Sequence, residues 1–426
     1  MTRTRLSALI VLLLASMNAV ALDQWVTQQV TTRLVIAGSE GARDAFQDAF
    51  AAYCVPGTLN LYWEGLISSG ADMRAYSCTL INTAPVPVTL RNTNVAVYYR
   101  SAGGAVWAVG SAAKQLPIKR LVVDGNCTLG IPPEFGVCQV NNYNESTDQG
   151  TGNLTNALVD IAVSDQDAGA YRGENWGLLY SGLGAEPEPG KLENLSRTTL
   201  FGQVFAVLVN NSVPATNISK QDLASIFAGA IYDWGRVQNP QTGDPYPAGQ
   251  ITVCRGYPGM GVQTAAATYF LNQTCGAGSE PSVAAPAGQN GNPVIEASTL
   301  IALEACVATH TGSIAATVLR SLAPSGTRFV SVSGVAPGNI MAARGLYDFW
   351  YEASSAKRPG LSGDTNALAN LLVSRVRHVQ GIPLSIATFA IPSSFNPPRL
   401  PILSSSRPIA VGTKGGNRCR TALTVF

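Results

Sequence analysis

Three glycine-bearing turns carry the residues best suited to chemistry in this 426-residue chain. They are Gly38-Ser39-Glu40-Gly41, the stretch Gly65 to Gly70 that contains Ser68 and Ser69, and Arg255 to Gly261. The first and third lie between an apolar run and a segment with helical spacing; the second follows the apolar run Leu59 to Tyr62. A helix N-terminus offers unpaired N–H donors and the positive end of the helix dipole. Glycine lets the backbone approach a bound oxyanion, and an arginine such as Arg255 adds a planar, permanently charged fork. The chemistry these types suit is capture of a small anion. Taken singly each turn is weak evidence, because strand-to-helix turns commonly hold glycine simply to turn.

Other chemistries find little support. The two histidines, His310 and His378, lie far apart and near no motif, which leaves little scope for a Ser-His-Asp hydrolase or a zinc site. His310 reads as a structural histidine before a strand, and His378 as part of a solvated basic helix face. The sequence has no G-x-S-x-G, H-E-x-x-H or G-x-x-x-x-G-K-[ST] pattern. Neither a catalytic residue, a cofactor nor a metal is expected.

The elements that must position the turns read as alternating strands and helices. Leu34 to Ile36, Val204 to Val209 and Ile251 to Val253 are short buried strands. Ala42 to Tyr53, Lys220 to Ala228 and Val262 to Leu271 have helical spacing. That order is the α/β signature. Residues 79–159 read instead as a β-rich insertion, with Asn94 to Arg100, Ala105 to Val109 and Ile118 to Val123 as its apolar runs. The polar stretch Asn141 to Asn156 reads as an exposed loop, as do Ala185 to Gly190 and Ala277 to Asn292.

Composition narrows the class. Only 13% of residues are charged, about half the roughly 25% common in soluble proteins. The 28 basic and 26 acidic residues give a formal charge of +2, which excludes a nucleic-acid-binding protein. Residues 1–21 open with Arg3 and Arg5, run apolar from Leu6 to Ala15 and end in Ala19-Val20-Ala21. This is the pattern of a secretory signal peptide. Its removal takes away two basic residues and leaves a neutral chain with no membrane span. Eight cysteines without a C-x-x-C pair fit disulfides in an oxidising compartment. Cys54–Cys78 and Cys127–Cys138 are the pairings that sequence proximity suggests.

Five segments in order resemble the periplasmic phosphate-binding proteins that serve ABC importers. Ile218 to Gly229, followed by Ile231 to Trp234, is similar to that family's "ltkedLadIFlGkittW" segment. Tyr62 to Gly70 resembles its "YQgiGSSG" turn, and Asp160 to Asp165 its "DFGASD" segment. Ile251 to Gly261 resembles "vvRxdGSGT", and Thr311 to Ala316 "kGAIGY". The resemblance implies a two-lobe α/β fold of the periplasmic binding protein type, with two crossover strands and the β-rich insertion in lobe one. Lobe one would comprise residues 22–200 and 325–426, and lobe two 201–324. The crossover would run through Phe201 to Leu208 and return between about Pro324 and Gly345, with the aromatic cluster Tyr347, Phe349, Trp350 and Tyr351 in the core or rim of lobe one. Ser68 and Ser69 would be hydroxyl donors, Asp165 the anion-contacting carboxylate and Arg255 the guanidinium. Ser39 would stand near the family's threonine position, where Glu40 would repel phosphate if it pointed into the cleft. The family's "GSGT" hydroxyls are replaced by Met260 and Val262, so binding there would fall to backbone N–H groups around Gly259, Met260, Gly261 and Val262.

The resulting expectation is a monomeric, non-enzymatic solute-binding protein, bacterial and periplasmic or secreted. It would capture phosphate or a related oxyanion and pass it to an ABC permease. The alternative is an extracellular interaction or surface-structure protein that reuses the fold without a phosphate ligand. A phosphate-ester hydrolase is the weakest reading.

Overall fold

The computed structural model describes residues 30–65, 72–129, 135–176, 180–188, 190–192, 195–271 and 293–377, with short strand backbones at 388–390, 402–404 and 407–409. Residues 1–21, read above as a signal peptide, and Ser68, Ser69, the Ala277 to Asn292 stretch, Cys275, His378 and Cys419 lie outside the described residues.

The apolar run at the start of lobe one forms β1 (Thr32–Gly38), buried on both faces except at Arg33. Helix α1 (Glu40–Ala51) follows and buries Ala42, Ala45, Phe46, Ala49 and Phe50, the i, i+3, i+4, i+7, i+8 stripe of a core-facing helix. Strands β2 (Asn60–Glu64), β3 (Met73–Thr79) and β4 (Asn94–Arg100) extend the sheet, with β4 parallel to β1. Helix α2 (Gly104–Lys114) packs on the other face. The Cys54–Cys78 disulfide ties the end of α1 to β3.

Two elements inside residues 79–159 are therefore not additions. β4 is a central strand, and Ala105 to Val109 lie within α2 rather than in a strand. Helix wins there because consecutive left-handed glycines, Gly103 and Gly104, restart the chain before an alanine-rich run. The β-rich part proper is β5 (Ile118–Leu121), β6 (Thr128–Leu129), β7 (Gly136–Cys138), β8 (Val140–Asn144), β9 (Gln149–Gly152) and β10 (Leu154–Ala157). The polar stretch expected to be a loop is the β8–β9 hairpin followed by β10, which pairs with β5. The Cys127–Cys138 disulfide joins the β6–β7 side of this subdomain.

β11 (Ile161–Ser164) returns the chain to the central sheet beside β1, and β12 (Ser196–Asn210) leaves it. β12 is the pivot of the molecule. Its first half pairs with β18 (Trp350–Lys357), and the two strands are the passages between lobes. Its second half pairs with lobe-two strands.

Lobe two contains β13 (Asn217–Ile218), α3 (Lys220–Phe227), β14 (Thr252–Gly256), α4 (Gly261–Phe270), β15 (Val294–Ala297), α5 (Leu300–Thr309), β16 (Ser313–Val318), β17 (Thr327–Val332) and α6 (Asn339–Ala343). β14 runs parallel to β15 and β16, and β16 and β17 run antiparallel to β12. The Cys254–Cys306 disulfide links β14 to α5. After β18, α7 (Gly363–Arg377) closes lobe one, placing Leu368 and Leu372 in one cluster with Phe46 and Phe50.

The return passage thus falls at β18 rather than between Pro324 and Gly345, because β17 still pairs with the lobe-two half of β12. The aromatic cluster follows the same correction. Tyr347, Phe349, Trp350 and Tyr351 join the lobe-two core, where Phe349 stacks on Tyr269 at 4.7 Å between ring centroids. The architecture is the two-lobe α/β fold with two crossover strands. Among the described residues, no helix is long and apolar enough to cross a membrane.

Candidate interlobe ligand site

A cleft partly open to solvent lies where the two lobes meet. Four helix starts reach it. Ser39, Glu40 and Gly41 come from α1, and Gly103, Gly104 and Ala105 from α2, both in lobe one. Met260, Gly261 and Val262 come from α4, and Thr299 and Leu300 from α5, both in lobe two. Each helix starts directly after a strand or the short turn that ends it, so the strand ends of both lobes aim their helix starts at one space. This is where ligands sit in open α/β sheets.

Asp165, just past β11, occupies the floor. It is 7% exposed, and the Ser39 hydroxyl donates to its Oδ1. Burial raises its pKa, opposed by the Ser39 hydroxyl and the Gln203 side chain. On the far side it packs against Gly261, where an added Cβ would lie 1.8 Å from Asp165 Oδ2. Gly259 takes part in a second interlobe contact: its carbonyl accepts from Val106 N–H at 3.3 Å. Gly259 has φ +94°, and a Cβ there would meet Val106 Cγ1 at 2.6 Å, so both its backbone conformation and its contact call for glycine.

Ser39, Asp165, Met260, Gly261 and Val262 are therefore brought together at the cleft. Gly259 sits beside it in the lobe contact. Arg255 is placed elsewhere. Parallel pairing of β14 with β15 sets it level with Glu296, and its Nε and Nη2 donate to Glu296 Oε1 at 3.0 and 2.5 Å. Its guanidinium is engaged in lobe two and does not line the cleft.

Sequence reasoning missed much of the wall. Asp72, Ser101, Gly103, Gly104, Glu145, Ser298 and Thr299 all line it. Gly103-Gly104 and Ser298-Thr299 carried a readable signal, since each precedes a helix and Thr299 Oγ1 caps α5 by accepting from Ala302 N–H. Asp72 and Glu145 carried none, as they reach the cleft from a strand start and a hairpin turn.

The electrostatics are unusual for an anion site. Among the described residues the wall holds four carboxyl side chains, Glu40, Asp72, Glu145 and Asp165, and no lysine or arginine. Arg43, buried behind them, stands 4.0 Å from Glu40 and 3.9 Å from Asp72. Burial raises the Glu40 and Asp72 carboxyls, against the pull of Arg43 on both and the Ser101 hydroxyl bond to Asp72. Glu145 is pushed up to about 7, first by burial and then by the charge of Asp72. Behind the wall Glu64 is raised to about 7 for the same two reasons. Glu40, which sequence analysis flagged as a residue that would repel phosphate if it faced the cleft, does face it. The group Cys254, Cys306 and His310 is compact, but its sulfurs are joined in a disulfide and offer no thiolate to a metal.

No protein-family model matches the chain, and no curated protein matches it. Solved structures do. A Clostridium perfringens protein described as a phosphate ABC transporter substrate-binding protein, with phosphate bound, is 10% identical with a TM-score of 0.47, covering 83% of this chain and 98% of its own. An ABC-type phosphate transport receptor from Vibrio cholerae is 13% identical with a TM-score of 0.43, covering 80% and 93%. A phosphate-binding protein from Stenotrophomonas maltophilia is 12% identical with a TM-score of 0.42, covering 81% and 84%.

Proposed function

We propose that the chain is an exported, non-enzymatic solute-binding protein that holds a small oxyanion, phosphate or a related group, in the interlobe cleft for delivery to an ABC permease. The observation that supports this reading most is the convergence of four helix N-termini, two from each lobe, on one space. Backbone N–H donors and dipole ends then replace the hydroxyls that Met260 and Val262 lack. Contacts from both lobes let a ligand stabilise the closed form by differential binding. The residues assigned to contact are Ser39, Asp165 and the N–H groups of Gly261 and Val262; the Met260 N–H donates to the Tyr257 carbonyl at 3.0 Å, and Arg255 has a supporting place on β14 through Glu296. Titration calorimetry of the mature protein with phosphate, arsenate, sulfate and phosphonates tests the reading. Binding of at least one is expected, and no heat with any of them would sink it.

A second reading has its own observation. Carboxyls line the wall while the arginine expected at an anion is held by Glu296. Those are features of a fold kept for surface interaction, with the cleft unused. Copurification of the secreted protein with an assembly, together with a silent calorimeter, would favour it.

A further inference from the structure

The turn before α4 is also a place where the two lobes touch. Half-buried Tyr257 packs both on the lobe-two core and on the lobe-one cluster that holds Ala105, Val106 and Trp107 of α2. Two residues on, the Gly259 carbonyl accepts from the Val106 N–H at 3.3 Å. Glycines make the approach close. A Cβ on Gly104 would lie 3.7 Å from Met260 Cα, and one on Gly259 would lie 2.6 Å from Val106 Cγ1 and 3.4 Å from the Asn175 carbonyl oxygen. A Cβ on Gly261 would strike the Asp165 carboxylate. Gly104 in lobe one and Gly259 and Gly261 in lobe two thus let one lobe seat directly on the other.

Val106 stands in the first turn of α2, where an N–H has no partner within the helix. Such a donor is what an oxyanion would take in a binding cleft. Here a carbonyl of lobe two takes it, and the Gly104 N–H donates to the Ser101 carbonyl at 2.8 Å. The carbonyl oxygen carries the partial negative charge that the positive end of a helix dipole favours. The bond therefore joins the lobes as a bound anion would, from groups of the chain itself. One hydrogen bond contributes little alone, so the packing of Tyr257 and the exclusion of water by the glycine contacts supply most of the hold.

We propose that this contact is a latch. The Tyr257–Gly261 turn docked on α2 holds the cleft shut in the resting protein, and the lobes part about β12 and β18 only when the Val106–Gly259 bond opens. The latch goes beyond the solute-binding reading and does not depend on it.

Residue-resolved amide exchange on the dialysed mature protein tests it. The Val106 amide should exchange at least about a hundredfold more slowly than an unstructured one, because the lobes must part first. Exchange within about tenfold of the unstructured rate overturns the latch. Gly259→Val, whose side chain would meet Val106, should cost that amide at least about tenfold of its protection and raise the radius of gyration measured by small-angle scattering. Unchanged exchange at Ile36 of β1 and Ala315 of β16 shows that both lobes remain folded; Tyr257→Ala, with the same expectation, is the second variant should Gly259→Val not fold. A folded variant that keeps the Val106 protection overturns the latch. So does one that loses it at an unchanged radius, since the lobes then stay together without the contact. No arm uses a ligand, so a failed latch leaves the solute-binding reading standing and a silent calorimeter leaves the latch standing.

Discussion

A methyl group added at Gly261 would lie 1.8 Å from Asp165 Oδ2 and 2.7 Å from its carboxyl carbon. Neither atom can yield easily, since Asp165 is anchored by Ser39 and buried. Gly261→Ala is therefore expected to destabilise the protein by about 1–3 kcal/mol, the usual cost of overpacking. Most of that loss should vanish in the Gly261→Ala, Asp165→Ala double variant, since the two positions are in contact. Denaturant titration of the four proteins measures the coupling; additive losses would show that Asp165 is not what Gly261 accommodates. At this scale the sequence was a partial guide. The strand-turn-helix pattern put Ser39 and Gly261 at helix starts, where the structure has them, because a helix start is a local feature. The pairing of Arg255 with Glu296, 41 residues away on a parallel neighbour, was not legible, because no local pattern announces it.

The elements tell the same story with different reach. Periodicity made α1, α3, α4 and the buried strands legible, because one-sided burial imprints its spacing on the chain. The β8–β9 hairpin left no imprint, since its residues are mostly exposed or half-buried and polar on both faces. What holds it comes from elsewhere. Arg100 of β4 is buried and donates to Asp148 at 2.7 Å, and Asp148 also accepts from Lys119 N–H and the Tyr143 hydroxyl. The Arg100 guanidinium further lies 5.0 Å from the Trp107 ring and 5.6 Å from that of Tyr143. Asp148→Asn tests this clamp cleanly, since asparagine also tolerates the φ of +56° at that position. Removing the charge strands a buried guanidinium, at a cost of about 3–5 kcal/mol. Amide exchange over residues 140–152 should quicken along with the loss in stability. Unchanged exchange there would mean that the hairpin is held by its contacts alone, and Glu145 would then owe its place to something other than Arg100.

Over the whole molecule, sparse charge and buried acid combine to set how stability depends on pH. Only 13% of residues are charged, yet Glu40, Glu64, Asp72, Glu145 and Asp165 gather around one cleft, each with its pKa raised first by burial. A carboxyl whose folded pKa is raised binds more protons folded than unfolded, so stability falls as pH rises across the interval between the two values. For Glu64 and Glu145 that interval runs from the ordinary 4.5 up to about 7. Their stabilising contribution is fully present below 4.5 and is lost as pH rises through about 7. The ligand-free protein should therefore melt at a lower temperature near pH 8 than near pH 5, in contrast to the common optimum of about pH 5 to 8. Glu64→Gln and Glu145→Gln should each flatten the decline, with Glu64→Gln the cleaner arm because that residue does not line the cleft. A flat profile in the unaltered protein would mean that the wall carboxyls are as well solvated as surface ones.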